Sequence, residues 1–150
     1  MTRHSLAFAF VATLAIARAV SPVTAQAAEK AVVTPVADLK WAPAGIPGVS
    51  IAAVDGDMAK GPSHFYLKYD AGLVTPLHHH SPDHYVTVVS GTLTLTTGGA
   101  DHRLAPGSFF ALTGMAKHAA RVEGKEPCVM FIDARGPWDV VVDPAAGDKK

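Results

Sequence analysis

The stretch GLVTPLHHHSPDHYVTVVSG, residues 72–91, holds four of the chain's eight histidines between positions 78 and 84. Such clustering needs a cause. On an extended strand alternate side chains share a face, so His78 and His80 point one way and His79 the other. Two neutral imidazoles side by side begin a metal site. Ser81-Pro82-Asp83 is a short turn that brings the chain back, with His84 at the inward-facing start of a second strand, Tyr85 onward. A further ligand must come from elsewhere. His118 is suited to it, because it opens a strand after the turn Thr113-Gly114-Met115.

The same texture extends in both directions. From Ser50 on, short runs rich in valine, isoleucine, threonine and aromatic residues are separated by glycine, proline and aspartate, the pattern of an all-β chain. Strands are expected at Ser50–Val54, His64–Tyr69, Val74–His79, Tyr85–Thr97, Arg103–Ala105, Ser108–Leu112, His118–Val122, Cys128–Asp133 and Val140–Val142. Asp70-Ala71-Gly72, Ser90-Gly91, Gly98-Gly99 and Pro106-Gly107 are among the turns. This many strands cannot bury their apolar faces as one flat sheet, so a closed barrel or a two-sheet jelly roll is expected. No helical period and no internal repeat interrupts the pattern.

At 150 residues, 49% of them hydrophobic, the chain suits one compact domain. Arg3 and His4 precede an apolar run from Leu6 to Ala17, and Ala25-Gln26-Ala27 supplies small residues for cleavage. Residues 1–27 therefore read as a signal peptide, and the mature chain as periplasmic or secreted. A stable membrane span is not expected: the run is shorter than the roughly 20 apolar residues a span needs, and Arg18 interrupts it. Residues 28–49, with Pro35, Pro43, Pro47 and Trp41, form an extended arm over the barrel or a subunit boundary. The β domain occupies 50–145 and an exposed tail 146–150. Loss of Arg3 and Arg18 moves the formal charge from 0 to −2, and no basic run exists to follow a phosphate backbone, which excludes a nucleic-acid partner. Cys128 is the single cysteine, so no internal disulfide forms; within Cys128-Val129-Met130-Phe131-Ile132 it reads as a buried, inert thiol.

The histidine stretch resembles the first motif of the cupin superfamily: a glycine, five residues, His-x-His, three or four residues, a glutamate, six residues and a glycine. Gly72, His78-His79-His80, His84 and Gly91 occupy those places, with His84 where the family has glutamate. The second motif is looser. Gly107-Ser108 aligns with its start and His118 with its histidine, but Thr113 replaces a proline, Gly114 is displaced and Val122 takes the asparagine place. The likeness spans about residues 38–145 and includes Leu39-Lys40-Trp41 and Gly136-Pro137-Trp138. It implies a small cupin-type double-stranded β-helix, a jelly-roll barrel. Within it, one divalent transition metal ion (iron, manganese, copper, nickel or zinc) is held by His78, His80 and His118, with His84 in the glutamate's place. It also implies a homodimer.

Four neutral imidazoles leave a divalent ion its full charge, so the site is expected to be more Lewis-acidic than a glutamate-bearing one. In octahedral surroundings they leave two neighbouring positions for water, dioxygen or a chelating substrate; in tetrahedral surroundings they leave none, and the site is structural. The bland alternative is a set of barrel histidines with hydrogen-bonding roles only, or His84 as a base beside the metal. Tyr66 either lines the pocket or packs, and Asp83 either orients His84 or only shapes the turn. Phe110 and Met130 read as core. His79 reads as a surface or interface residue, and His64 and His102 as surface residues without a role at the site. Arg121 points away, so no arginine is evident to anchor a carboxylate.

The leading expectation is a metal-dependent, dioxygenase-like oxidoreductase acting on a small oxygenated molecule. A non-redox metal-dependent lyase, isomerase or hydrolase is the second reading, and a periplasmic metal- or ligand-binding or sensing module without turnover the third.

Overall fold

The computed structural model describes residues 31–144; the expected signal peptide, the first residues of the arm and the tail lie outside the described residues. Eleven strands are present among those described: β1 Ala42–Pro43, β2 Val49–Gly56, β3 Ser63–Tyr69, β4 His78–His79, β5 His84–Ser90, β6 Thr92–Thr97, β7 Ala100–Leu104, β8 Phe109–Leu112, β9 His118–Glu123, β10 Cys128–Ala134 and β11 Val141–Val142. They form two antiparallel sheets, one ordered β1-β2-β3-β10-β5-β8 and the other β11-β4-β9-β6-β7. The all-β jelly-roll barrel expected from the sequence is the fold observed. No helix among the described residues is long and apolar enough to cross a membrane.

Period-two burial builds the core. On β3, Phe65 and Leu67 face in while His64 and Tyr66 face out; on β10, Cys128, Met130 and Ile132 face in. Val86 and Val88 on β5 continue that layer, and Leu93 and Val122 close it from the second sheet. The same parity fixes the histidines. His84 lies two residues before Val86, and His118 two before Ala120, so both inherit the inward face.

Three local departures from the sequence expectation have physical causes. The strand expected over Val74–His79 contracts to His78–His79, because Pro76 has no N–H to give a ladder; Val74 keeps only an isolated bridge to Arg121. The run Tyr85–Thr97 divides at Gly91, whose φ of 75° and contact with the Pro127 carbonyl leave no room for a Cβ. The arm does not lie loose: Ala42 and Pro43 pair with Ile51 and Ser50, which makes β1 an edge strand of the first sheet. Trp41 beside it packs on Tyr66 and under the Lys68 ammonium, 4.7 Å from the ring centre.

Candidate metal centre

His78, His80, His84 and His118 are all buried at one end of the barrel, each no more than 5% exposed. Ligand atoms of His78, His80 and His118 lie within 4.8 Å of one another. His78 and His118 are cross-strand partners, their ring centres 4.2 Å apart. His84 stands beside this trio and not within it, its ring centre 4.8 Å from that of His80 and 5.9 Å from that of His118.

Backbone carbonyls decide which nitrogen of each ring carries the proton. His78 Nδ1–H donates to the Pro76 carbonyl at 2.8 Å and His118 Nδ1–H to the Ala116 carbonyl at 2.9 Å. His80 Nδ1–H donates to the Asp139 carbonyl. A carbonyl can only accept, so each Nδ1 must be the protonated atom and each Nε2 keeps a free lone pair. Metal-binding imidazoles need this arrangement, with the outer nitrogen held by an acceptor and the inner one open. His84 has a looser hold, 3.3 Å from its Nδ1 to the Pro82 carbonyl.

Burial also keeps the rings neutral. Desolvation, reinforced by the neighbouring histidines, pushes His80 down to about 3 and His118 to about 4, and lowers His78 and His84 in the same direction. Neutral imidazole is the form that binds a metal, so the residues present fit a divalent transition ion.

The surroundings decide between the alternatives left open for Tyr66 and Asp83 and correct the expectation for His79. Tyr66 does not reach the site: it lies on the outer face of β3 with its ring against Phe131 at 5.2 Å and against Trp41. Asp83 does not bond His84; its carboxylate accepts from the Gly114 N–H at 2.6 Å and so ties the motif turn to the turn before His118. That second turn is drawn in tightly. The Met115 N–H donates to the His80 carbonyl at 2.8 Å while Met115 holds a positive φ of 67°. His79 is not a surface residue: it is buried, and its Nδ1 lies 2.9 Å from the Asp143 carboxylate, which also pairs with Lys117 at 2.7 Å. His64, half exposed between Asp55 and Asp133, and His102, exposed on β7, lie away from the centre. Arg121 is exposed and paired with Asp101. Met130 and Phe110 pack with the core and also border the small hollow beneath the histidines. Burial raises the Cys128 thiol to about 11, which leaves it a packing group.

The segment after β10 is the part of the site that motif spacing missed. Trp138 lies flat on His80, ring centres 3.9 Å apart, and meets the ring of His84 at right angles, 5.2 Å between centres. Asp139 offers its carbonyl to His80 and its carboxylate to the N–H and hydroxyl of Ser81, at 2.7 and 2.5 Å. β11 then pairs with β4, Val141 opposite His79 and Val142 opposite His78. The sequence signals for this strap were the Gly136-Pro137-Trp138 ending and the strand expected at Val140–Val142.

Two hollows meet at the histidines. A cavity of about 520 Å³ runs between the arm and the strap and is bordered by His78, His80 and Trp138. Beneath it a hollow of about 30 Å³ reaches His84 and His118 among core side chains.

Residues 65–134 match the family model described as Cupin domain. Among solved structures, the chain is similar to the polyketide cyclase RemF from Streptomyces resistomycificus at 18% identity and a TM-score of 0.64, covering 77% of this chain and 87% of that one. KdgF from Halomonas sp. aligns at 22% identity and a TM-score of 0.58, covering 67% of this chain and 90% of that one. The DMSP lyase DddQ from Ruegeria pomeroyi aligns at 17% identity and a TM-score of 0.59, covering 75% and 64%. No curated protein matches the chain. Residues 65–134 are thus similar to a cupin domain, and at these identities the structural neighbours establish the fold alone.

Proposed function

We propose that the chain is a metal-dependent enzyme of the oxidoreductase type, dioxygenase-like, that acts on a small oxygenated molecule. The observation that carries this is the set of neutral imidazoles whose outer nitrogens are held by backbone carbonyls and whose inner nitrogens face one point below an apolar cavity. His78, His80 and His118 would hold the ion and His84 would be its fourth ligand. When bound, the ion supplies positive charge and, for a redox-active metal, electron transfer. The chain's own residues do the rest: the carbonyls of Pro76, Ala116 and Asp139 orient the rings, Trp138 shields His80 from water, and the apolar wall excludes solvent from the centre. Metal analysis with oxygen uptake on enediol, diketone and phenolic compounds tests the reading. A purified protein without a redox-active metal and without oxygen consumption on any of them refutes it.

A second reading, non-redox lyase or cyclase chemistry with the metal as a Lewis acid, is favoured by the activities named for two neighbours, the polyketide cyclase and the DMSP lyase. It requires activity that survives zinc substitution and needs no oxygen. Export of the mature chain and pairing as a homodimer belong to the same proposal, and cell fractionation and sedimentation measure them.

A further inference from the structure

The cavity above the histidines has a chemical character that narrows its ligand. Its wall comes from both ends of the chain: Ile46 and Pro47 from the arm, Val140 and Val142 from the strap. No lysine or arginine among the described residues borders it. A dianion entering the cavity meets an apolar wall that cannot repay its lost hydration.

Polar atoms able to recognise a ligand are few. Thr75 is committed to the Ala120 backbone, which it bonds as acceptor at 2.8 Å. Among the described residues, Tyr69 is the one hydroxyl residue that borders both the large cavity and the small hollow. Burial raises its pKa to about 12, so it is a neutral phenol with a proton to donate. A volume of about 520 Å³ is in the range that encloses small organic molecules.

We propose that this cavity takes a molecule with an uncharged hydrocarbon body and a single oxygenated end, that the end is directed past Tyr69 to His78 and His80, and that doubly charged anions such as phosphate monoesters are rejected. The inference rests on the metal-centre reading for the direction of the oxygenated end, but its selectivity rests on the wall alone.

The test compares 4-propylcatechol with 4-propylphenyl phosphate, which share one body, by calorimetry on the zinc-loaded and the metal-stripped protein. In the metal-stripped form, where the wall acts alone, the catechol is expected to bind at least roughly tenfold tighter than the phosphate, and Ile46→Lys at the half-exposed mouth to narrow that ratio about tenfold. Tyr69→Phe is expected to weaken the catechol by about five- to tenfold, the loss of one hydrogen bond, without changing metal content. Equal or tighter binding of the phosphate to the metal-stripped protein, or a ratio that Ile46→Lys leaves unmoved, overturns the inference. A protein that takes up no zinc yet keeps the catechol preference and its response to Ile46→Lys defeats the metal reading and sustains the cavity's selectivity.

Discussion

Acid should unfold the metal-free protein through its buried histidines, in a window set by their depressed pKa values. In the unfolded chain each imidazole takes a proton below about 6.5, while in the fold His80 holds out to about 3 and His118 to about 4. Below 6.5 the unfolded state therefore binds more protons than the native one, so stability is full above that pH and falls as pH drops toward the folded values. Each such group removes up to about 1.4 kcal/mol per pH unit. Between pH 6.5 and about pH 5, His80 and His118 together remove up to about 4 kcal/mol. That is a large part of the roughly 5–15 kcal/mol that holds a domain together. His78 and His84 act in the same direction. The depressed carboxylates Asp139 and Asp143 lose their contribution only below their ordinary 3.8, so they stand outside this window.

Urea midpoints of EDTA-treated protein, measured at several pH values from 7.5 down to about 5, read this directly, provided the m-value stays constant. The midpoint should fall steeply through the window, and a His80→Gln/His118→Gln double variant should lose most of the slope. A midpoint that stays flat from neutral pH to about 5, or a double variant with an unchanged slope, would falsify the reasoning.

Four further outcomes follow from the same geometry. His78→Ala and His80→Ala should each abolish stoichiometric metal binding while circular dichroism still reports a folded barrel; one metal per chain in both variants removes the basis of the site. His84→Glu should change affinity or metal preference by competition assay with the fold intact, and identical behaviour to the native chain shows His84 to be a bystander. Zinc at a hundredfold excess over its dissociation constant should stabilise the native protein by about 2.7 kcal/mol in thermal or urea melts and leave His78→Ala unmoved. Phe65→Ala removes a fully buried ring whose neighbour, 5.1 Å away, is Trp138; a loss of about 3–5 kcal/mol is expected together with a shift in tryptophan fluorescence, and a loss under about 1 kcal/mol contradicts the packing.

Much of this architecture was legible because a strand writes its two faces into the sequence with a period of two. The inward turn of His78 and His80, the start of β5 at His84, and His118 at the head of β9 follow from parity and punctuation. Parity also held the answer for Tyr66, which shares its face with His64 and Lys68 while Phe65 and Leu67 take the core side. The burial of His79 escaped because a face that points away from one sheet can still be covered by a later segment. Here Asp143, the residue after β11 and 64 positions on, supplies the carboxylate. Asp139 escaped for a different reason: it grips His80 through its carbonyl, a group every residue carries, so no residue type marks it.

Those carbonyls connect the acid sensitivity to the proposed chemistry. A ring whose Nδ1–H is held by Pro76, Ala116 or Asp139 cannot rotate to shed its place in the cluster, and a buried ring cannot protonate without cost. The same restraints that destabilise the empty fold in acid present ready lone pairs at neutral pH, with little reordering left for a metal to impose. His84 is the exception, with a bond of 3.3 Å to Pro82 and a ring farther from His118 than the others are. It is therefore the ring freest to move when an ion arrives. Exchange at this position, not loss of the rigid three, is the change that separates a four-histidine centre from a three-histidine one with a neighbouring base.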